Sequence, residues 1–74
     1  MFSKGQKVKV NKENDNDNYD GFRNKVLIIT GVYRNDKEHP GYDIGVYPER
    51  LYEFKTIDGE DIPCALYEYE IERA

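Results

Sequence analysis

The sequence predicts an all-β domain, a small five-stranded barrel with one short helical turn before its last strand. Three observations carry the prediction. The long apolar run Lys25-Val26-Leu27-Ile28-Ile29-Thr30-Gly31-Val32-Tyr33 is dominated by β-branched residues and is too short to prefer a helix. Gln6-Lys7-Val8-Lys9-Val10 and Glu68-Tyr69-Glu70-Ile71-Glu72 alternate apolar and polar side chains with the period of a strand. Asp58-Gly59 lies between two further short runs and reads as a hairpin turn.

In the central run both alternating sets, Val26/Ile28/Thr30/Val32 and Leu27/Ile29/Gly31/Tyr33, are mostly apolar. A half-solvated sheet face does not suit such a strand. The expectation is a strand covered on both sides, bent sharply so as to serve two sheets, with Gly31 relieving crowding at the bend.

Composition sets the remaining bounds. A chain of 74 residues makes one domain, 1–74, at a size where burial only just exceeds chain entropy. One cysteine, Cys64, and one histidine, His39, argue against a disulfide framework and a zinc site, so neither metal nor cofactor is expected. The amino end lacks the hydrophobic segment of a secretion signal, and no run approaches the roughly 20 residues of a membrane helix. A soluble protein of a reducing cytoplasm, without a membrane partner, is expected.

The net charge of −4 argues against general duplex binding, which relies on many Lys and Arg phosphate contacts. The charge is divided unevenly. Residues 1–37 hold eight Lys/Arg and five Asp/Glu, giving +3, and residues 38–74 hold three and ten, giving −7. Pairing of strands from the two chain ends explains this without a partner; an acidic half that imitates nucleic acid or meets a basic partner is the functional alternative.

Along the chain, strand Gln6–Val10 is a half-buried edge with Val8 and Val10 inward and Lys7 and Lys9 outward. Residues 11–18 contain no apolar side chain and read as a mobile loop; Tyr19 and Phe22, flanking Asp20-Gly21, return the chain to the core. The Asn/Asp run fails as a calcium loop, because a frame starting at Asn16 has Leu27 where the bidentate Glu belongs. Arg34 to Arg50 holds several strand breakers and reads as a binding loop or one with a short extra strand near Tyr42–Val46. His39 reads there as a solvated loop residue rather than a general base.

Leu51–Thr56 is the next strand. A three-residue loop, Ile57-Asp58-Gly59, with Gly59 left-handed, pairs Phe54 with Ile62, and Pro63 ends the return strand. Cys64–Tyr67 is expected as the helical turn, with Leu66 plugging a barrel end. In the closing strand Tyr69 and Ile71 point inward, and Glu68, Glu70 and Glu72 meet Lys7 and Lys9 across an antiparallel pair. Each such exposed pair contributes about 0.2–1 kcal/mol and mainly sets register.

This order of elements resembles the SH3-like small barrels. Ala65-Leu66-Tyr67-Glu68-Tyr69 is also similar to the ALYDY signature of eukaryotic SH3 domains, although it stands near the carboxyl end and the chain has no Trp. The resemblance therefore implies an aromatic surface at Tyr67 and Tyr69 but no proline-peptide groove. The Gly5-led KVKV strand, Asn18-Tyr19-Asp20-Gly21-Phe22-Arg23, KVLIITGVY and the terminal IPCALYEYEIE are similar to short uncharacterised proteins encoded by bacteriophages, cyanophages among them. That resemblance implies an accessory protein in a bacterial cytoplasm.

Catalysis is not expected: Ser3 stands in a frayed start, Cys64 has no His near it in sequence, and His39 shows no partner. Seven tyrosines and three phenylalanines exceed what so small a core buries, and tyrosine suits interfaces. The leading expectation is a protein-binding module, its partner an unidentified protein such as a bacterial host factor. Its patch would be built from Tyr42 and Tyr47, with Tyr19 and Tyr67, and rimmed by acidic residues. Homo-oligomerisation is another use of such a surface. The alternative is a single-stranded nucleic-acid binder using Lys4, Lys7, Lys9, Arg23 and Lys25 with stacking from Tyr19 or Phe22.

Overall fold

The structure is a computed structural model that describes residues 2–11, 21–35, 37–40, 42, 43, 45 and 49–74. Among these residues, β1 (Lys7–Val10), β2 (Leu27–Tyr33), β3 (Leu51–Thr56), β4 (Leu66–Tyr67) and β5 (Ile71–Arg73) form one sheet in the order β4-β3-β2-β1-β5. Every neighbouring pair is antiparallel. The all-β expectation holds. Among the described residues no helix is long and apolar enough to cross a membrane.

β1 is not an edge. It lies between β2 and β5, with Val8 and Val10 buried and Lys7 and Lys9 exposed, as alternation requires. The two chain ends do lie side by side, and Lys9 faces Glu72 across the β1–β5 ladder. Glu68 and Glu70 do not reach this ladder, because the chain there is a 3-10 turn, Glu68–Glu70.

The double apolar pattern of β2 has a different cause from the one expected. Its register against β3 shifts between Ile29 and Gly31, so Thr30 is an inserted residue. A bulge changes which alternate positions face inward. Before it, Leu27 and Ile29 are buried, with Ile29 opposite Phe54; after it, Val32 stands opposite buried Tyr52 and packs against the same core. The odd positions Gly31 and Tyr33 thereby turn outward, opposite Glu53 and Leu51. Ile28 and Thr30 stay partly exposed, so β2 is not covered on both faces throughout. Gly31 does relieve crowding: a Cβ there would lie 2.7 Å from the Tyr33 hydroxyl and 3.0 Å from its ring.

The β3 hairpin follows the expected three-residue loop. Thr56 N–H donates to the Glu60 carbonyl at 2.8 Å, Lys55 bridges Asp61, and Ile62 N–H donates to the Phe54 carbonyl. Gly59 has φ +90°, a region from which a Cβ is excluded. Beyond Pro63 the expectation fails. Leu66–Tyr67 is not helical but a strand on Leu51–Tyr52, and the helical turn comes one step later. Leu66 is fully buried within the core itself.

The 3-10 turn joins the two edges of the sheet directly. Glu68 N–H donates to the Arg50 carbonyl at the start of β3, and Asn11 N–H donates to the Glu70 carbonyl beyond β1. Five flat strands would set those edges about 19 Å apart. The four residue steps from Tyr67 to Ile71 span at most about 14 Å even when extended. The sheet is therefore curled around its core of Val8, Val10, Phe22, Leu27, Ile29, Tyr52, Phe54, Leu66 and Ile71. The amino end is not frayed: Phe2 packs edge-on against Tyr52 at 6.0 Å between ring centroids and donates its N–H to that hydroxyl.

Candidate partner-binding site

The outer face of the sheet carries a row of side chains set by cross-strand pairing. Tyr33 stands opposite Leu51 and Leu51 opposite Tyr67. Leu51 is buried outside the main core cluster, as is Tyr42. At one end of the row, Tyr67 meets Tyr42 edge-on at 5.7 Å and lies parallel to Tyr69 at 6.1 Å. Tyr69 is 62% exposed.

Tyr69 was expected to point inward with Ile71. A continuous strand would place the two on one face, but the intervening 3-10 turn has three residues per turn instead of a two-residue alternation, so they part. The exposed ring beside Tyr67 follows from that break. The signal was present in the run Glu68-Tyr69-Glu70, whose acidic neighbours suit a solvated turn as well as a strand.

Tyr67 and Tyr42 are tethered. The Tyr67 hydroxyl accepts Asp43 N–H at 2.7 Å, and Tyr67 N–H donates to Glu70 Oε1 at 2.9 Å. The Tyr42 hydroxyl donates to the Glu49 carbonyl at 2.5 Å. These bonds bring Asp43, Glu49 and Glu70 around the tyrosine pair. The Tyr69 hydroxyl is held above its usual range by desolvation first, then by the negative charge of Glu70 and, more weakly, Glu49.

At the other end of the row, the Tyr33 hydroxyl donates to Glu53 Oε1 at 2.5 Å, and His39 Nε2 lies 3.3 Å from Glu53 Oε2. The His39 and Tyr33 rings meet edge-on at 4.8 Å. His39, with a side chain only 19% exposed, is thus a pinned residue and not a solvated one. The Tyr33 bond and the His39 contact pull the Glu53 carboxyl below its usual range, against an opposing contribution from desolvation. Cys64 packs against the core, and burial pushes its thiol up, the opposite of an activated nucleophile.

The expected patch is therefore brought together only in part. Tyr67 is on it, and Tyr42, at 5% exposure, supports it from beneath instead of offering a contact surface. Tyr19 and Tyr47 lie outside the described residues, as do the 12–18 part of the polar loop and residues 16–20 of the calcium frame; Leu27, at the place of its bidentate Glu, is buried in the core. Of the supposed extra strand near Tyr42–Val46, the described residues Tyr42, Asp43 and Gly45 form no strand.

The basic set is scattered. Lys4, Lys7, Lys9 and Lys25 are exposed, but Lys9 and Arg23 share a shallow groove with Val10, Asn24 and Glu72. Lys25 borders another depression with Val26, Thr56, Ile57, Asp58 and Glu60. Carboxylates interrupt both, and among the described residues no aromatic ring lines either. Phe22, expected as a stacking platform, is in the core.

No family model, curated protein or solved structure matches the chain.

Proposed function

We propose that the chain is a small non-catalytic binding module that engages a partner protein through Tyr67 and Tyr69. The observation that carries the reading is the stacked, exposed Tyr69, held on a ring that is fixed at its hydroxyl and its backbone. A preorganised aromatic surface loses little entropy on binding, and tyrosine gives large contact area with few rotatable bonds. An SH3-like barrel is the architecture we assign. The strand order, the curled sheet and the 3-10 turn between its last two strands support that assignment. An accessory protein of phage origin, acting on a host factor in a bacterial cytoplasm, is the setting we propose from the sequence resemblance.

Affinity capture from a bacterial lysate tests the reading. Tyr69→Ala and Tyr67→Ala should each lose the captured protein, whereas Lys7→Ala should retain it; unchanged capture by Tyr69→Ala overturns the patch. Retardation of a single-stranded oligonucleotide with a steep salt dependence would favour the Lys4, Lys7, Lys9, Arg23 and Lys25 alternative instead. Release of the captured protein by DNA would mark the acidic half as a nucleic-acid mimic.

A further inference from the structure

Resting on the binding-module reading, we infer that the Tyr67–Tyr69 face takes an arginine-rich segment of a partner protein. One guanidinium lies on the exposed Tyr69 ring, and neighbouring cations meet the acidic rim of Glu49, Glu70 and Asp43.

Three features carry this. The first is the ring itself: Tyr69 is parallel to Tyr67 and open to solvent. A planar guanidinium stacks on such a surface, and the ring quadrupole attracts its charge. The second is charge. Glu70 Oε1 accepts Tyr67 N–H, which places that carboxylate at the pair, and the charge of Glu49 is felt at the Tyr69 hydroxyl; Asp43, whose backbone N–H bonds the Tyr67 hydroxyl and whose Oδ1 accepts Gly45 N–H, adds a third acidic residue at the rim. The charge of Arg50 is felt at Tyr52, which bonds Glu68.

The third is what the same charges disfavour. A second copy seated symmetrically on this face would set one acidic rim, with Glu49 and Glu70, against an identical one, and the chain already carries −4. A phosphate backbone would meet the same repulsion. A basic segment meets complementary charge and a flat aromatic surface together.

The test is an amide chemical-shift titration of the full chain with three peptides of equal length: an Arg-Gly repeat, a Lys-Gly repeat and an arginine-free proline-rich sequence. Light scattering of the chain alone accompanies it. The Arg-Gly peptide should shift Tyr67, Tyr69 and Asp43 and bind more tightly than Lys-Gly. Tyr69→Ala should weaken it about two- to fivefold and Tyr69→Phe should not. Asp43→Asn with Glu49→Gln should flatten its salt dependence.

Equal binding of the Lys-Gly peptide overturns the stacking inference. Shifts at the same amides from the proline-rich peptide alone overturn the partner class and leave the binding-module reading standing, as does lysate capture that depends on Tyr69 without any response to Arg-Gly. A dimer lost in Tyr69→Ala makes the occupant a second copy. Silence of all three peptides together with Tyr69-independent capture overturns both readings.

Discussion

Two tyrosine hydroxyls in this small sheet donate to glutamate carboxylates at the same distance, 2.5 Å, on opposite faces, and their surroundings make them unequal. Tyr52 is fully buried; it ties β3 to Glu68 on the 3-10 turn and also accepts the N–H of Phe2. Three remote parts of the chain meet at one hydroxyl. Tyr33 is half-buried and bonds Glu53 on the neighbouring strand, which the β2–β3 ladder already holds. Its added contribution is to draw in His39. The value of such a bond depends on solvent exclusion and on whether anything else joins the same elements.

Removing the inner ring should have the largest effect. Tyr52→Ala deletes a buried aromatic, a change that costs about 3–5 kcal/mol, enough to unfold a domain of this size. Tyr52→Phe keeps the ring and removes only the shared oxygen, and should cost about 1–2 kcal/mol in urea unfolding. The corresponding Tyr33→Phe should cost under about 1 kcal/mol. Equal losses for the two phenylalanine variants would abolish the distinction between the faces.

The same hydroxyl sets the alkaline limit. Burial first, and the Glu68 bond second, push Tyr52 up to about 12 from an ordinary 10.0. The folded state therefore keeps its proton where the unfolded chain releases it. The stability this confers is complete below pH 10 and is lost as pH rises from 10 towards about 12. Urea midpoints measured across that range should fall steeply for the native chain and less steeply for Tyr52→Phe.

Gly31 holds the outer network in place through the room it leaves for the Tyr33 ring. Gly31→Ala places a methyl group against the Tyr33 ring, which must move away from Glu53 and His39. The cost should be about 1 kcal/mol. The diagnostic change is local: ring signals of Tyr33 and His39 should shift while those of Tyr52 stay in place. A shift at Tyr52 would mean that the two faces are mechanically coupled.

Much of the inner face was legible in the sequence, and much of the outer face was not. Val8 and Val10 alternate with lysines, and Asp58-Gly59 fixes a hairpin register through Gly59; both are local signals read within a few residues. The bulge at Thr30 was hidden because two apolar half-strands on opposite parity read like one strand covered twice. The 3-10 turn was misplaced because Leu66-Tyr67 and Glu68-Tyr69-Glu70 each fit strand or turn, and the choice is made by remote partners: the Arg50 carbonyl for Glu68 and the Asn11 N–H for Glu70. Tyr69 then fell on the wrong face. His39 found Glu53 and Tyr33 only through tertiary contact, which no spacing in the chain encodes.

The smallest expected effect lies at Glu53. Its folded carboxyl is held below the unfolded value of 4.5, chiefly by the Tyr33 hydroxyl and further by His39. That stability is therefore fully present above pH 4.5 and is lost as pH falls through the lowered folded value. Because the Glu53 side chain is 44% exposed, solvent screening holds the contribution below about 1 kcal/mol. Glu53→Gln should flatten the acid limb of the stability curve slightly; on the alkaline limb it should remove only the smaller contribution of Tyr33, whose hydroxyl Glu53 holds above its usual range, and leave that of Tyr52 in place. His39→Gln should produce a weaker version of the same flattening, because the tyrosine bond remains. An acid limb identical in all three chains would show that the outer network adds nothing beyond the ladder, and that the Tyr33 ring stays on Gly31 by packing alone.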